Sequence, residues 1–494
     1  MTQLDLGKFA STYRPVSRAQ SQPSEAQIWL STAIRVWSLG VLTLHLAAVS
    51  LPQESAWSVW PYTLLPTWLG WLLALLLGSL TIPAVSEFVS TGLARCWHIV
   101  PAKHAARRWF LLIALLAGPL LWLARLRHLR WGDSYLLSVA LSYPDPDLRV
   151  IYNWQAPLTV FLHQRLWQYV AQPLLGWPVE TVYAAVSILC GVIFVYVLLS
   201  FAARLGRDPL EAALLAGLVL STGSVQLFFG YVENYVVISL LLVVMLFLAW
   251  RALQGELSPL WPVLGLSVTN AFHPSTVFLW PGMLSLIWLC WRRGRVSFGG
   301  ALLQAGLPPL LIAGAVFALM ESGGHGTTAL LGQDRPGGGD GVWFVPLFEI
   351  DPEWARYQPY LMFSPAHFID WSNLHFLISP YGLPLLIIEL AAVVWFGLSL
   401  FETSPERDFG VFLTMTASSY LLFTWIWNPD YGARKDWDLF APAAFVYTLL
   451  AGYLLVRLLP DRSQLRAGGL LVVAVSLLHT GAWVYTNTHF FPHD

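Results

Sequence analysis

The chain is organised by apolar stretches, separated by short polar loops, that are long enough to cross a lipid bilayer. A helix needs about 20 apolar residues to span the ~30 Å hydrocarbon core, and shorter ones are tolerated inside a bundle. Because only 11% of the residues are charged, against roughly 25% in soluble proteins, we expect lipid to be the main solvent. The sequence therefore predicts an all-α, polytopic transmembrane helical bundle. The thirteen predicted spans lie near residues 32–51, 62–83, 109–125, 179–201, 209–227, 232–250, 259–272, 275–291, 299–320, 380–401, 409–427, 439–458 and 467–486.

Basic residues alternate between loops as this number of spans requires. Each short loop assigned to the inner side carries Lys or Arg, in agreement with the positive-inside rule. We therefore expect a multi-pass protein of the plasma or inner membrane with a cytoplasmic N-terminus. A single tilted helix over 259–291 is the alternative to two of these spans, but it would place the basic residues that follow Trp291 on the outer side. The positive-inside rule therefore favours two helices hinged at Asn270 to Ser275. The inner bases are Arg95, Lys103, Arg107, Arg108, Arg204, Arg207, Arg251, Arg292, Arg293, Arg295, Arg407, Arg457, Arg462 and Arg466.

The same map divides the chain into four parts and two long outer loops. The outer loop 126–178 contains an amphipathic helix that opens at Pro157 and is suited to the membrane interface. The outer loop 321–379 opens with eight glycines between Glu321 and Gly341, which favours a mobile lid, with a plain disordered loop as the alternative. The predicted parts are a disordered cytoplasmic tail (1–28), an N-terminal transmembrane hairpin (29–104), a core that includes both outer loops (105–440) and C-terminal transmembrane helices (441–494).

Polar and ionisable residues gather at the outer ends of the predicted spans. Such groups cost on the order of several kcal/mol at membrane depth unless they are paired or solvated, so a cluster of them marks a functional site. The net charge of −1 gives no sign of a nucleic-acid partner. The residues are Asp133 in Arg-Trp-Gly-Asp-Ser-Tyr (130–135), Gln155 in Asn-Trp-Gln-Ala-Pro-Leu (153–158), Glu233 and Asn234 in Gly-Tyr-Val-Glu-Asn-Tyr (230–235), His273 in Asn-Ala-Phe-His-Pro-Ser (270–275), and Arg434, Lys435, Asp436 and Asp438 in Asn-Pro-Asp-Tyr-Gly-Ala-Arg-Lys-Asp-Trp-Asp (428–438).

Each of these residues also has a purely structural explanation. Asp133 is a preferred N-cap for a helix that begins at Ser134, and Glu233 suits the N-terminal dipole of the following helix. His273, before a proline, fits a helix end, and the run 428–438 fits a solvated turn whose charges neutralise one another. The set of residues, rather than any single member, favours a site.

The motifs resemble those of the GT-C superfamily of membrane glycosyltransferases, which includes the protein O-mannosyltransferases and the bacterial aminoarabinose lipid A transferases. The likeness rests on Gly-Asp-Ser in the first large outer loop, on Gln-Ala-Pro-Leu entering a juxtamembrane helix and on the number of spans, and it covers roughly residues 105 to 440. It implies a GT-C-like fold with a catalytic core.

The resemblance also implies an activity, namely transfer of a sugar from a polyprenyl-phosphate donor to a lipid, glycan or protein acceptor. In the family this transfer takes place on the extracytoplasmic side, usually with inversion, and uses an outer-loop aspartate that corresponds to Asp133. Two features depart from the family pattern: the motif follows the third span rather than the first, and Gln155 stands where an acid is usual.

Elementary chemistry assigns roles to these residues. An exposed Asp has a pKa of about 4, so Asp133 is the candidate base for an attacking hydroxyl. Cationic side chains, including Arg127, would stabilise the phosphate leaving group. The reaction requires no cofactor, although oxygen ligands such as those of Asp133, Glu233 and Asp438 are compatible with a divalent cation. The predicted substrate-binding residues are Arg130, Gln155, Glu233, Asn234, His273, Arg434, Lys435, Asp436 and Asp438.

A secondary transporter or flippase of a lipid-linked or polar substrate is the alternative function. Transporters place polar residues near mid-membrane on broken helices, often in repeated halves, whereas here these residues lie at span ends and the sequence shows no repeat. A channel requires a pore-lining ring, for which the sequence shows no candidate. A scaffold that binds lipid without catalysis stays open.

Overall fold

A computed structural model of the protein describes residues 24–97, 103–332, 342–352, 355, 357–398, 400–401 and 403–490, without the side chains of 93–106 and 490. In this part of the chain the fold is helical, with no strand and one isolated antiparallel bridge from Phe344 to Trp427. The predicted fold class, an all-α polytopic bundle, is confirmed. Most of the predicted tail and residues 333–341 of the glycine-rich segment lie outside the described residues.

The first seven helices form a peripheral layer and the outer loop. Helix α1 begins at a capping box, in which Ser24 and Gln27 each accept a hydrogen bond from the other's backbone. Helices α2 and α3 meet at 95°, and α1, α2 and α3 all pack on the last helix of the chain. The helices are α1 (Glu25–Ala47), α2 (Thr67–Ser79), α3 (Pro83–Trp97), α4 (Lys103–Leu123), α5 (Ser134–Leu141), α6 (Pro157–Leu166) and α7 (Gln172–Leu175).

The predicted amphipathic helix is α6, continued by one π-helical turn (Trp167–Ala171) and by α7. Its exposed face carries Leu162, Leu166 and Val170, while Trp167 is buried. An exposed apolar face beside Arg165 is the composition expected of a helix that lies in the membrane interface.

The middle of the chain forms seven further helices. The chain is extended at His273 (φ −154°, ψ 125°), so α11 and α12 are separate helices, as predicted for the hinge at Asn270 to Ser275. A 3-10 helix (Pro274–Leu279) leads into α12. The helices are α8 (Val179–Leu205), α9 (Pro209–Leu220), α10 (Tyr235–Leu253), α11 (Leu260–Phe272), α12 (Trp280–Arg292), α13 (Phe298–Ser322) and α14 (Thr327–Leu331).

The last five helices supply the centre of the bundle. Helix α18 contacts α9, α10, α16 and α17, and nearly all of its side chains are buried. Helices α15 and α16 meet at 100°. The helices are α15 (Pro365–Ile378), α16 (Gly382–Phe396), α17 (Ser404–Ile426), α18 (Trp437–Leu458) and α19 (Arg462–Tyr485).

Eight helices in the described part of the chain are long and apolar enough to cross a membrane, or up to ten if each bent pair is one span. The shorter apolar helices α9 and α11 coincide with predicted spans. A helix overlaps each of the thirteen predicted spans, but the number of crossings stays a prediction.

Most charged side chains lie at the two ends of the bundle, which we call inner and outer after the sequence prediction. At the inner end, charged residues from loops far apart in sequence form ion pairs. These are Arg204 with Glu256 at 3.1 Å, Arg293 with Asp408 at 2.8 Å, Arg457 with Glu406 at 3.3 Å and Arg462 with Glu211 at 2.9 Å. The loops assigned to the inner side therefore share one end of the bundle. Which end faces the cytoplasm stays a prediction.

Candidate active site

Three segments meet at the outer end, just before α5, α10 and α18. The Gly132 N–H donates to the Lys435 carbonyl at 2.9 Å, and the Asp133 N–H donates to Glu233 Oε1. The second oxygen of Glu233 accepts from the Asn234 N–H at 2.8 Å. Backbone hydrogen bonds thus hold together three of the five segments predicted to converge.

Four carboxylates lie in this junction. Glu233 and Asp438 are each 1% exposed and Asp436 is 7% exposed, whereas Asp133 is only half-buried. A Cβ added to Gly132 would overlap Glu233 Oε1 and lie 2.6 Å from Asp438 Oδ2, so Gly132 lies against both carboxylates. Its positive φ of 52° is a conformation that glycine adopts without strain.

Asp133 occupies the N-cap position of α5 but makes no capping hydrogen bond through its side chain. Asp133 thus takes the predicted N-cap position without making the capping hydrogen bond on which the structural explanation depends. Burial raises the pKa of Asp133, and a hydrogen bond with the Tyr431 hydroxyl partly offsets this rise. The prediction of an exposed aspartate with an ordinary pKa is wrong, because neighbouring segments cover one side of the carboxylate.

Glu233 and Asp436 are equally unlike solvated surface acids. Burial raises the pKa of Glu233 well above its usual value, and the nearby charges of Asp438 and Asp133 raise it further. Burial likewise raises the pKa of Asp436, whose side chain accepts from the Tyr431 N–H at 2.7 Å. Within the run 428–438, Asp436 and Asp438 are thus buried, whereas Tyr431 and Lys435 are exposed. Close like charges favour retention of protons in such a cluster.

Asp438 lies at the first turn of α18, and neither of its carboxylate oxygens has a hydrogen-bond partner among the described residues. The side-chain oxygen of Asn234 is also buried without such a partner. Both groups face the cost of desolvation, and both belong to the segments that meet around Asp133. They are therefore among the polar atoms of the junction that remain to be satisfied by a proton or a bound molecule.

His273 lies beside the acidic junction rather than in it. Its Nδ1 accepts from the Ser275 N–H at 3.2 Å and so caps the following 3-10 helix, as the helix-end explanation predicts. Desolvation lowers the pKa of His273 to about 3, so the ring is neutral. The ring contacts Tyr235, with centroids 4.9 Å apart, two residues beyond Glu233.

Gln155 belongs to a turn at the start of α6. Its N–H donates to Asn153 Oδ1 at 2.6 Å, and the neighbouring Trp154 indole donates to the His325 carbonyl at 2.9 Å. In the described structure no hydrogen bond joins the Gln155 side chain to the carboxylates. Its predicted contact with substrate stays a prediction.

The predicted cations differ in their surroundings. Arg434 lies over the Trp60 ring at 5.4 Å, and burial lowers its pKa while the charge of Glu54 raises it. Arg130 is exposed. Lys435 is also exposed, and its backbone is joined to Gly132, beside Asp133. Lys435 is therefore exposed in the turn that is joined to Gly132, whereas the Arg434 guanidinium lies against an aromatic ring.

Tyr431 is a site residue that sequence reasoning missed, because a tyrosine in a loop carries no signal of its hydroxyl's partner. We expect Tyr431→Phe to move the acid limb of the pH profile of kcat/KM to higher pH. The hydrogen bond from Tyr431 stabilises the ionised form of Asp133, so its loss raises the pKa below which Asp133, the predicted base, is protonated. Tyr135→Phe, at an exposed tyrosine, is the matched control and should leave the limb in place. If the acid limb of the kcat/KM profile were unchanged in Tyr431→Phe, Tyr431 would have no effect on the pKa of Asp133.

No group of three or more His, Cys, Asp or Glu side chains in the described part of the chain has the arrangement of a metal site. The compatibility of Asp133, Glu233 and Asp438 with a divalent cation stays a prediction.

No family model and no curated protein matches the chain. Among solved structures, the crystal structure of ArnT from Cupriavidus metallidurans bound to undecaprenyl phosphate is similar over 78% of this chain and 78% of ArnT, with 13% identity and a TM-score of 0.45.

Proposed function

We propose that the protein is a membrane glycosyltransferase that moves a sugar from a polyprenyl-phosphate donor to a hydroxyl acceptor at the extracytoplasmic face, with inversion. The observation that carries the proposal is the exposure pattern of the four carboxylates. Glu233, Asp436 and Asp438 are covered, whereas Asp133 stays half-buried and open to an acceptor. Asp133 is then the base.

The proposed step is a single displacement. The acceptor oxygen attacks the anomeric carbon, the bond from this carbon to the phosphate oxygen breaks, and the electron pair leaves with the polyprenyl phosphate. The acceptor proton passes to the Asp133 carboxylate and is later released to water. One displacement inverts the anomeric centre, so the product should carry the configuration opposite to that of the donor.

The buried acids around Asp133 suit this role. General-base catalysis is most efficient when the pKa of the base lies near the working pH. Burial raises the pKa of Asp133, which makes its carboxylate a stronger base than an exposed aspartate. The neighbouring Glu233 accepts the Asp133 N–H and so fixes the backbone that carries the base.

Lys435→Ala should raise the KM for the donor about tenfold, because it removes a cation from the leaving-group phosphate near Asp133. Arg434→Ala should have a smaller effect, since the guanidinium is occupied by the Trp60 ring. Initial rates over a range of donor concentrations measure both. Arg149→Ala, at a half-buried arginine of the same end that lies over the Trp167 ring, is the control. If the KM for the donor were unchanged in both variants, Arg434 and Lys435 would not belong to the donor site.

Transfer is tested with the purified protein in liposomes and a panel of undecaprenyl-phosphate sugars that carry a radiolabel on the sugar. We expect label to leave the lipid and appear in an acceptor fraction, with release of undecaprenyl phosphate. The same assay with EDTA tests for a divalent cation held by the carboxylates. Label that stays on the lipid with every donor, with and without added metal, would contradict the proposal.

A secondary transporter or flippase is the second candidate, and Glu389 favours it. This residue lies within α16, is 0% exposed, and neither carboxylate oxygen has a hydrogen-bond partner among the described residues. Ionisable groups inside membrane bundles often mark ion or proton pathways. Movement of intact labelled lipid across the bilayer, lost in Glu389→Gln and kept in Asp133→Asn, would support transport over transfer.

A further inference from the structure

The inner end of the bundle contains a cleft that the proposed function does not use. The cleft lies between the last turn of α12 and the first turn of α17 and has a volume of about 200 Å³. Three arginines against one aspartate make it strongly positive. Its lining residues are Leu289, Arg292, Arg293, Arg407 and Asp408.

The cleft is built by the packing of α12 on α17. At the outer end of this contact the Phe278 and Phe423 rings lie 5.0 Å apart. Gly282 then allows a close approach, since a Cβ there would lie 2.9 Å from the Thr416 Cα. The cleft opens on the inner side of this close contact between Gly282 and Thr416.

The arginines of the cleft are not equivalent. Arg293 makes two hydrogen bonds to Asp408, at 2.8 and 2.9 Å, so its charge is compensated. Arg292 lies over the Trp288 ring at 5.3 Å and Arg407 is exposed; in the described structure neither has an ion-pair partner. Two guanidinium groups at one opening are thus available to an anion, and guanidinium groups match phosphate oxygens in geometry.

Exposed apolar side chains form a stripe on each of the two helices, and each stripe leads to an arginine of the cleft. On α12, Leu284 and Trp288 are 52% and 46% exposed and precede Arg292 at helical spacing. On α17, Val411 and Met415 are also exposed and follow Arg407 at the same spacing. Exposed apolar side chains on a membrane-spanning helix face lipid, and exposed tryptophans are typical of the interface. Arg292 and Arg407 therefore lie at the inner ends of these two apolar stripes.

We propose that this cleft binds the phosphate of an anionic phospholipid of the inner leaflet, whose acyl chains lie along the exposed apolar stripes of α12 and α17. Basic pockets between membrane helices on the cytoplasmic side bind head groups of this kind. Inorganic phosphate would satisfy Arg292 and Arg407 but would make no contact with Leu284, Trp288, Val411 and Met415. The combination of two arginines and the adjoining apolar stripes favours the lipid.

The proposal is tested by native mass spectrometry of the detergent-solubilised protein titrated with phosphatidylglycerol, phosphatidylcholine or inorganic phosphate. We expect saturable binding of one phosphatidylglycerol. The double variant Arg292→Gln/Arg407→Gln should weaken this binding on the order of 30-fold, about fivefold for each arginine. Because both side chains are without ion pairs, the variant should fold as the wild type does.

The control is Arg204→Gln/Arg466→Gln, which removes two charges from the same end but outside the cleft. We expect it to bind phosphatidylglycerol as the wild type does. Equal losses in the two double variants, or equal binding of phosphatidylcholine, would overturn the proposal. Inorganic phosphate that competes as well as phosphatidylglycerol would replace the lipid with a free anion and overturn it as well.

Discussion

Replacing Asp133 by asparagine should lower kcat for sugar transfer by about 10²–10⁴-fold, the usual contribution of a general base. The amide keeps the volume of the carboxylate but cannot accept the proton of the attacking hydroxyl. The backbone N–H of residue 133, which donates to Glu233, is unchanged by the substitution. Donor binding and expression should therefore stay close to those of the wild type.

The matched control for this variant is Asp147→Asn, at an exposed aspartate of the same outer loop. It removes the same charge without touching the acidic junction and should transfer sugar at the wild-type rate. Normal turnover by purified Asp133→Asn would refute the assignment of the base. A loss in Asp133→Asn with weak donor binding would instead indicate a role in holding the substrate.

Replacing Gly132 by alanine should reduce transfer at least 100-fold, about the effect of misplacing a reacting group by 1 Å, and should lower the melting temperature. The added methyl group would overlap Glu233 Oε1 and lie 2.6 Å from Asp438 Oδ2, so a buried carboxylate has to move. The φ of 52° adds strain of about 1–3 kcal/mol for a residue with a side chain. Turnover and thermal unfolding of the purified variant measure both effects.

A second glycine variant distinguishes the effect of backbone strain from the effect of steric overlap with the carboxylates. Gly176 also has a positive φ, of 66°, but a Cβ there meets nothing within 4 Å. Gly176→Ala should show the loss of stability that comes from backbone strain, with transfer largely kept. If the two alanine variants transferred sugar equally well, the contact of Gly132 with Glu233 and Asp438 would have no part in catalysis.

The fold class could be predicted from the sequence because the apolar stretches are long and their flanking charges alternate. The break at His273 was predicted as well, since one continuous helix would have placed Arg292 and Arg293 on the wrong side. The bends of 95° and 100° that join α2 to α3 and α15 to α16 could not be predicted. Hydropathy measures how apolar a segment is, but it contains no information about the angle at which one helix follows another.

The site was predictable in part. The residues Asp133, Glu233 and Asp438 were identified because acids at span ends are costly and rare. Their mutual contact and the role of Gly132 depend on side chains that meet from distant parts of the chain, which no spacing rule encodes. Tyr431 was missed for the same reason, and the ordinary pKa predicted for Asp133 failed because burial was not visible in the sequence.

The central claim is that a lipid-borne phosphate sugar binds at the outer acidic junction with its anomeric carbon beside Asp133. A cryo-electron microscopy structure of Asp133→Asn with a bound undecaprenyl-phosphate sugar tests it most directly. The claim predicts the phosphate beside Lys435 and the anomeric carbon within reach of an acceptor oxygen that is ~3 Å from residue 133. Lipid bound at mid-bundle near Glu389, or only in the cleft at the inner end, would contradict it.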